Sequence, residues 1–350
     1  MNQAGGLSLR RRLLVTLLSG GVTLVAALLL FCLYALWLYQ GPGPATKDHQ
    51  PVNVELRKGA GLPEIASSLE RSGAVKSSAI FITVAQITGK ARGLKAGEYD
   101  FASGASMAQI LEQIHKGKVV RHQVTIPEGM TSEMVAEILA KTPELTGVAP
   151  VPPEGSILPE TYEVRRGEDR AAVLQRMMDA RDKLLAQLWE HRRADLPFKT
   201  MDEAVTLASI VEKETALGEE RPRVAAVFLN RLEQGIRLES DPTIIYGLTR
   251  GQPLGHGIRV SERASVTPYN TYQINGLPPG PICNPGRAAL AAVLDPPRTT
   301  ELYFVASGTG GHSFASTFEE HQRNVEHFRA FEKASKARHD AAASGLAGGQ

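Results

Sequence analysis

Two glutamates spaced two residues apart, Glu212 and Glu214 in "LASIVEKETA" (207–216), are the strongest chemical signal in the chain. The stretch has helical periodicity. With Ala204 at zero and about 100° per residue, Ile210, Leu207, Val211, Ala204, Ala208 and Val205 sweep an apolar arc from about 240° through zero to about 100°. Thr206, Ser209 and Lys213 are left for a narrow solvated face. Glu214 falls near 280°, between Ile210 and Leu207, and Glu212 near 80°, between Ala208 and Val205. Both carboxylates therefore enter the arc, where loss of water disfavours the ionised form and raises a carboxyl pKa. A general acid needs that property; a carboxylate paired with an arginine or capping a loop would instead be structural. Periodicity does not choose between the two.

Three loop-rich stretches follow: "RLESDPTIIYG" (237–247), "TPYNTYQINGLPPGPICNPG" (267–286) and "LYFVASGTGGHSFAST" (302–317). Tyr246, Tyr269 and Tyr272 could supply stacking faces. Asp241, Asn270, Thr271 and Asn284 could bind hydroxyl and acetamido groups, a set that suits a sugar polymer. Pro278, Pro279 and Pro281 are expected to shape their loop rather than touch a ligand. His312 is expected to be either partly buried or in contact with the glycan. Neither His312 nor His321 has metal-ligand spacing, and no Cys/His pattern suggests zinc, so neither metal nor cofactor is expected.

The elements that must position these residues occupy a chain of 350 residues, 43% apolar and 22% charged, with room for about two domains. Net charge is +2; beyond Arg10, Arg11 and Arg12 the chain carries 36 basic and 37 acidic side chains. No basic stripe with interleaved aromatics is present, so nucleic acid is not an expected partner. Residues 13–39 form 27 positions without a charge, enough helix to cross a hydrocarbon core roughly 30 Å thick. Tyr34, Trp37 and Tyr39 sit at the far end, as interfacial aromatics do. A cleaved signal peptide would have a shorter apolar region and a small-residue cleavage site. The three arginines place residues 1–12 in the cytoplasm and the bulk of the chain outside. Cys32 lies in the anchor, and Cys283, alone outside, has no intrachain disulfide partner.

Residues 40–51, "QGPGPATKDHQP", read as a tether. Residues 52–128 mix strands and short helices, and their strand–helix–helix–strand order resembles a LysM-like module, a fold that holds aminosugar polymers. Residues 129–332 are expected to form a mixed α/β catalytic domain. Its "ELYFVASGTGGHSFAST" should be a hairpin around a Gly-rich turn, followed by a closing helix. Residues 333–350 are expected to form a flexible tail. The fold class is α+β.

Long motifs carry a resemblance: "EGSILPETY" (154–162), "ASIVEKET" (208–215), "SDPTIIYG" (240–247), "YNTYQINGLPPGPICNPG" (269–286) and "YFVASGTGGHSF" (303–314). Through them the chain resembles the membrane-anchored endolytic murein transglycosylases, the MltG or YceG-like family. The resemblance covers the anchor, the small module and nearly all of residues 120–330. It implies that Glu214 is the catalytic acid/base, with Glu212 supporting. Glu160 and Tyr162 join the substrate-binding set, although Glu160 stands where the family commonly has Asp. The implied reaction breaks the MurNAc–GlcNAc bond of peptidoglycan strands and leaves 1,6-anhydroMurNAc ends. Its implied setting is termination of nascent strands beside peptidoglycan synthases. The competing readings are a hydrolytic muramidase using Glu214, Asp241 and a water, and a membrane-anchored, non-catalytic glycan-binding scaffold.

Overall fold

The computed structural model describes residues 9–347, with side chains from 19 to 337, in two compact units. The first holds the chain up to His122 together with Arg165–Gly167; the second holds Gln123–Val164 and everything from Glu168. Strand β3 (His122–Thr125) pairs with β5 (Thr161–Val164). Of the expected cytoplasmic segment, residues 1–8 lie outside the described residues.

Helix α1 (Leu9–Gln40) rises about 48 Å. Its apolar span Ser19–Gln40 is long enough to cross a membrane, and it is exposed except at its end, where half-buried Tyr39 packs on the core of the first unit. After Gln40 the order is β1 (Val52–Leu56), α2 (Leu62–Arg71), α3 (Ser78–Ile87), β2 (Gly97–Phe101) and α4 (Met107–Lys116). β1 and β2 pair antiparallel, from Val52 opposite Phe101 to Leu56 opposite Gly97. Their inward residues close a core with Ile65, Leu69, Phe81 and Ile114. Local signals end these helices where expected: Ser106 and Gln109 form a reciprocal capping box on α4, and Gly117 stops it in the left-handed region at φ +69°.

The tether behaves differently from its composition. Gly43 N–H donates to Gly104 O (3.1 Å), Gly104 N–H to Pro44 O (3.0 Å), and Thr46 N–H to Ser103 Oγ (2.9 Å). Residues 43–46 are thus strapped to the loop before α4, close enough that a Cβ on Gly43 would meet Ala105 O at 2.1 Å. Here Gly and Pro serve close approach rather than slack.

In the second unit, α5 (Ser132–Lys141) and α6 (Arg170–Glu190) flank residues 142–169, which carry the short parallel pair β4 (Leu145–Thr146) and β6 (Glu168–Asp169). Then come α7 (Met201–Glu214), α8 (Arg221–Glu233), α9 (Asp241–Thr249), the short α10 (Val260–Ala264) and α11 (Arg287–Leu294). β7 (Tyr303–Ala306) and β8 (His312–Ala315) form the expected antiparallel hairpin. α12 (Phe318–Ala347) closes the chain and continues as helix through most of the segment expected to be a flexible tail.

Helix α7 is the hub of the larger core. Thr200 and Glu203 cap its start reciprocally, and α8 and α11 pack on it. Ala204, Val205, Leu207, Ala208, Ile210 and Val211 are all buried, as the wheel requires. The expected solvated face is not there. Thr206 and Ser209 are buried too, and the segment before α11 lies over Ser209: Ser209 Oγ accepts Ile282 N–H (3.0 Å), and Cys283 Sγ contacts Ser209 O (3.3 Å). Lys213 alone of the three stays exposed.

Candidate active site

Glu212 and Glu214 lie two residues apart on one helix, about 200° around its axis, so they enter different environments. Glu212 is buried and fully engaged. Its Oε1 accepts from Arg221 Nη2 (2.7 Å) and its Oε2 from the Gly286 N–H (2.9 Å), at the N-terminus of α11. Burial pushes its carboxyl above the usual range, opposed by the Gly286 N–H and the Arg221 charge. Glu212 is a clamp between α7, α8 and α11.

Glu214 ends α7, where Thr215 turns extended. By surface area it is only partly covered, yet its carboxyl lies deep among protein atoms, and this burial pushes it up to about 7. The nearby Asp241 charge also raises it, while the Ser240 hydrogen bond, His312 and Arg231 pull the other way. Its place at the negative end of the α7 dipole adds to the upward push. Among the described residues its one hydrogen bond comes from the Ser240 hydroxyl, and no cation bonds to it. Near neutral pH such a carboxyl is populated in both protonation states, the condition for giving a proton and taking one back.

Ser240 sits at the N-cap of α9, but its hydroxyl makes no capping bond because it points at Glu214. Two buried threonines hold it there. Ser240 N–H donates to Thr271 Oγ1 (2.9 Å), Thr243 Oγ1 donates to Ser240 O (2.6 Å), and the two threonine oxygens are 2.8 Å apart. Asp241 is exposed, and its Oδ1 accepts from Tyr272 Oη (2.8 Å), whose ring lies under the Arg263 guanidinium. On another side, His312 offers both its main-chain N–H (2.8 Å) and ring Nδ1 (2.6 Å) to Glu220.

Three expected sugar contacts are internal braces instead. Thr271, Asn270 and Asn284 are all 0% exposed. Asn270 Nδ2 donates to Arg263 O (3.0 Å) and Ser265 O (2.6 Å), while its Oδ1 accepts Tyr272 N–H (3.0 Å), shaping the loop after α10. Asn284 Oδ1 accepts Ile157 N–H (3.0 Å), and its Nδ2 donates to Met130 O (3.1 Å), joining three segments. Loops dense in backbone polar groups need such internal partners when buried, and amide side chains supply them. Tyr246 is buried as well: its hydroxyl donates to Glu154 (3.1 Å) and its ring meets Tyr269 edge-on at 4.8 Å. Tyr162, half-buried, donates to Leu158 O (2.7 Å), and exposed Glu160 faces Arg287 at 3.4 Å.

Asp241 and His312 thus act on the Glu214 carboxyl, Tyr272 is bonded to Asp241, and Tyr269 is half-exposed beside Tyr246. Glu220, Ser240, Arg221, Arg231 and Glu154 are the site and brace residues that sequence reasoning missed. Glu154 and Ser240 sit inside the quoted motifs; Glu220, in "LGEERPR", carries no local signal at all. Among the described residues no cluster of three His, Cys, Asp or Glu could hold a metal ion.

The YceG-like family model matches residues 54–327. An endolytic murein transglycosylase of Streptococcus pneumoniae serotype 2 (strain D39 / NCTC 7466) is 30% identical over 323 residues, 78% of this chain and 58% of that protein. The Bacillus subtilis (strain 168) protein of the same name is 27% identical over 322 residues, 81% of this chain and 87% of that protein. The chain therefore spans little more than half the length of its pneumococcal relative. A crystal structure of a yceG-like protein from Listeria monocytogenes matches with a TM-score of 0.50 at 27% identity, over 78% of this chain and 98% of that one. With residues 54–327, most of its length, matched by the family model, this chain belongs to the YceG-like family.

Proposed function

We propose that the chain is an endolytic peptidoglycan lytic transglycosylase with Glu214 as its single acid/base. The observation that carries this reading is the contrast within α7. Glu212 is held by Arg221 and the Gly286 N–H, whereas Glu214 has a hydroxyl partner and a carboxyl pushed up to about 7. The names of the relatives point the same way.

In this mechanism Glu214 delivers its proton to the oxygen bridging C1 of N-acetylmuramic acid and the next N-acetylglucosamine. The C1–O bond breaks through an oxocarbenium-like state. The C6 hydroxyl of the same muramyl residue then bonds to C1, and its proton passes to the Glu214 carboxylate. The acid is regenerated and no water is consumed. A second catalytic carboxylate is needed only when water or an enzyme nucleophile attacks, so an intramolecular hydroxyl removes that requirement. Ser240 stabilises the carboxylate form midway, and Asp241, Tyr272 and His312 are placed to meet the strand.

We assign α1 as an inner-membrane anchor with the folded units on the extracytoplasmic side. The β1–α2–α3–β2 unit is assigned as a LysM-like glycan holder, consistent with its antiparallel strand pair. Nascent strands and their synthases are the fitting substrate and partners. The test is the chemistry of the ends that the full-length, detergent-solubilised protein leaves on purified murein. Anhydromuramyl ends support the proposal. Reducing ends would make the protein a muramidase using Asp241, and uncut but bound strands would make it a scaffold.

A further inference from the structure

His312 is paired with Glu220, a carboxylate that no step above employs. Glu220 precedes α8 and His312 opens β8, with 92 positions between them. One carboxylate takes both hydrogen bonds that the histidine can offer from that side, the main-chain N–H at 2.8 Å and ring Nδ1 at 2.6 Å. The fit is close: a Cβ on Gly311 would lie 2.5 Å from Glu220 Oε1, which explains a glycine immediately before His312. Phe304 meets the imidazole edge-on at 5.4 Å, and Phe314 lies at 6.4 Å, so the ring is held on two sides.

The arrangement sets the tautomer. Burial would raise the Glu220 carboxyl, but the ring and main-chain bonds from His312 outweigh it and hold it below the usual range. An ionised carboxylate can only accept, so the nitrogen facing Glu220, Nδ1, carries a proton, and in the neutral form of the ring Nε2 is then the acceptor. Among the described residues nothing bonds Nε2, and the side chain keeps 19% exposure. A histidine serving only to staple the hairpin to α8 would have no use for an open Nε2 beside the acid.

We propose that Glu220 is a positioning residue that fixes the ring of His312 so that Nε2 accepts a hydrogen bond from a hydroxyl of the muramyl residue being cut. This deepens, and rests on, the transglycosylase reading: the substrate must present a sugar hydroxyl at Glu214. Orientation of a bound sugar by one fixed acceptor favours the reactive conformer.

His312→Asn separates the two roles, because an Asn amide can reproduce the Nδ1–H bond to Glu220 but has nothing in place of Nε2. Loss of one neutral hydrogen bond reads as roughly a tenfold fall in kcat/KM, with the melting temperature of the full-length protein unchanged. Glu220→Gln should lower kcat/KM as well, and the double variant should fall no further than His312→Asn alone, since both act through one atom. The companion measurement is binding of uncut strands in a Glu214→Gln background, where adding His312→Asn should raise Kd about tenfold. If the parent makes no anhydro ends yet binding weakens, the reaction assignment falls and the histidine contact stands. Parental kcat/KM and Kd in folded His312→Asn would overturn the proposal, as would fully additive losses in the double variant.

Discussion

Glu214→Gln should remove activity and at the same time stabilise the protein, in a pH-dependent way that the structure sets. The amide keeps the side chain's size and can still accept the Ser240 hydroxyl, but it has no proton to give. Because the same group serves both halves of the reaction, the rate should fall by more than the roughly 10²–10⁴-fold that general acid–base help supplies in one step. For stability, the parent carboxyl is raised from 4.5 to about 7, mainly by burial. A raised folded-state pKa makes the contribution of Glu214 most favourable below about 4.5, and that contribution is lost as pH rises through about 7. At 1.36 kcal/mol per pH unit, a shift of about 2.5 units corresponds to an upper limit of roughly 3 kcal/mol, fully lost above pH 8. Glutamine does not titrate. The melting temperature of Glu214→Gln relative to parent should therefore rise between pH 4.5 and 7 and level off above that, while anhydro-product formation disappears at every pH. A folded variant with near-parental turnover would refute the assignment. A stability difference that is flat in pH would show that burial does not tune this carboxyl.

Ser240→Ala removes the hydroxyl that favours ionised Glu214, so the alkaline limb of the activity profile should move up by about one pH unit; a downward move would contradict the geometry. Leu207→Asn should move the same limb toward lower pH by easing the desolvation, provided the variant remains folded. Glu212→Gln leaves the buried Arg221 with Glu128 (3.1 Å) as its remaining partner, so it should lose about 2 kcal/mol of stability while activity per folded molecule is kept; an equal loss of turnover without destabilisation would move Glu212 into the chemistry. Gly43→Val should break the strap, since even a Cβ there meets Ala105 O at 2.1 Å. Limited proteolysis should then cut near residues 43–46 faster than in the parent, and an unchanged cleavage rate would mean that the strap carries little load.

Elements governed by neighbours in the chain were legible in the sequence. Apolar periodicity and the Thr200/Glu203 box define α7, Gly117 ends α4, and alternation around a glycine turn builds β7–β8, because caps, turns and periodicity act within about four residues. Periodicity also showed that Glu212 and Glu214 both intrude on a core-facing arc, and the extended motifs carried the family. The division of labour between those glutamates was decided by tertiary structure. Glu212 owes its main-chain donor to Gly286, 74 positions away, and Glu214 its hydroxyl donor to Ser240, 26 positions away. The same holds for Asn270, Thr271 and Asn284, whose side chains are as suited to bracing a buried loop as to holding a sugar; only their burial tells the two apart. Glu220 became visible only when the hairpin folded His312 onto it. Residue type and spacing place a carboxyl on a helix, but its charge state and its partners depend on the distant segments that exclude water from it.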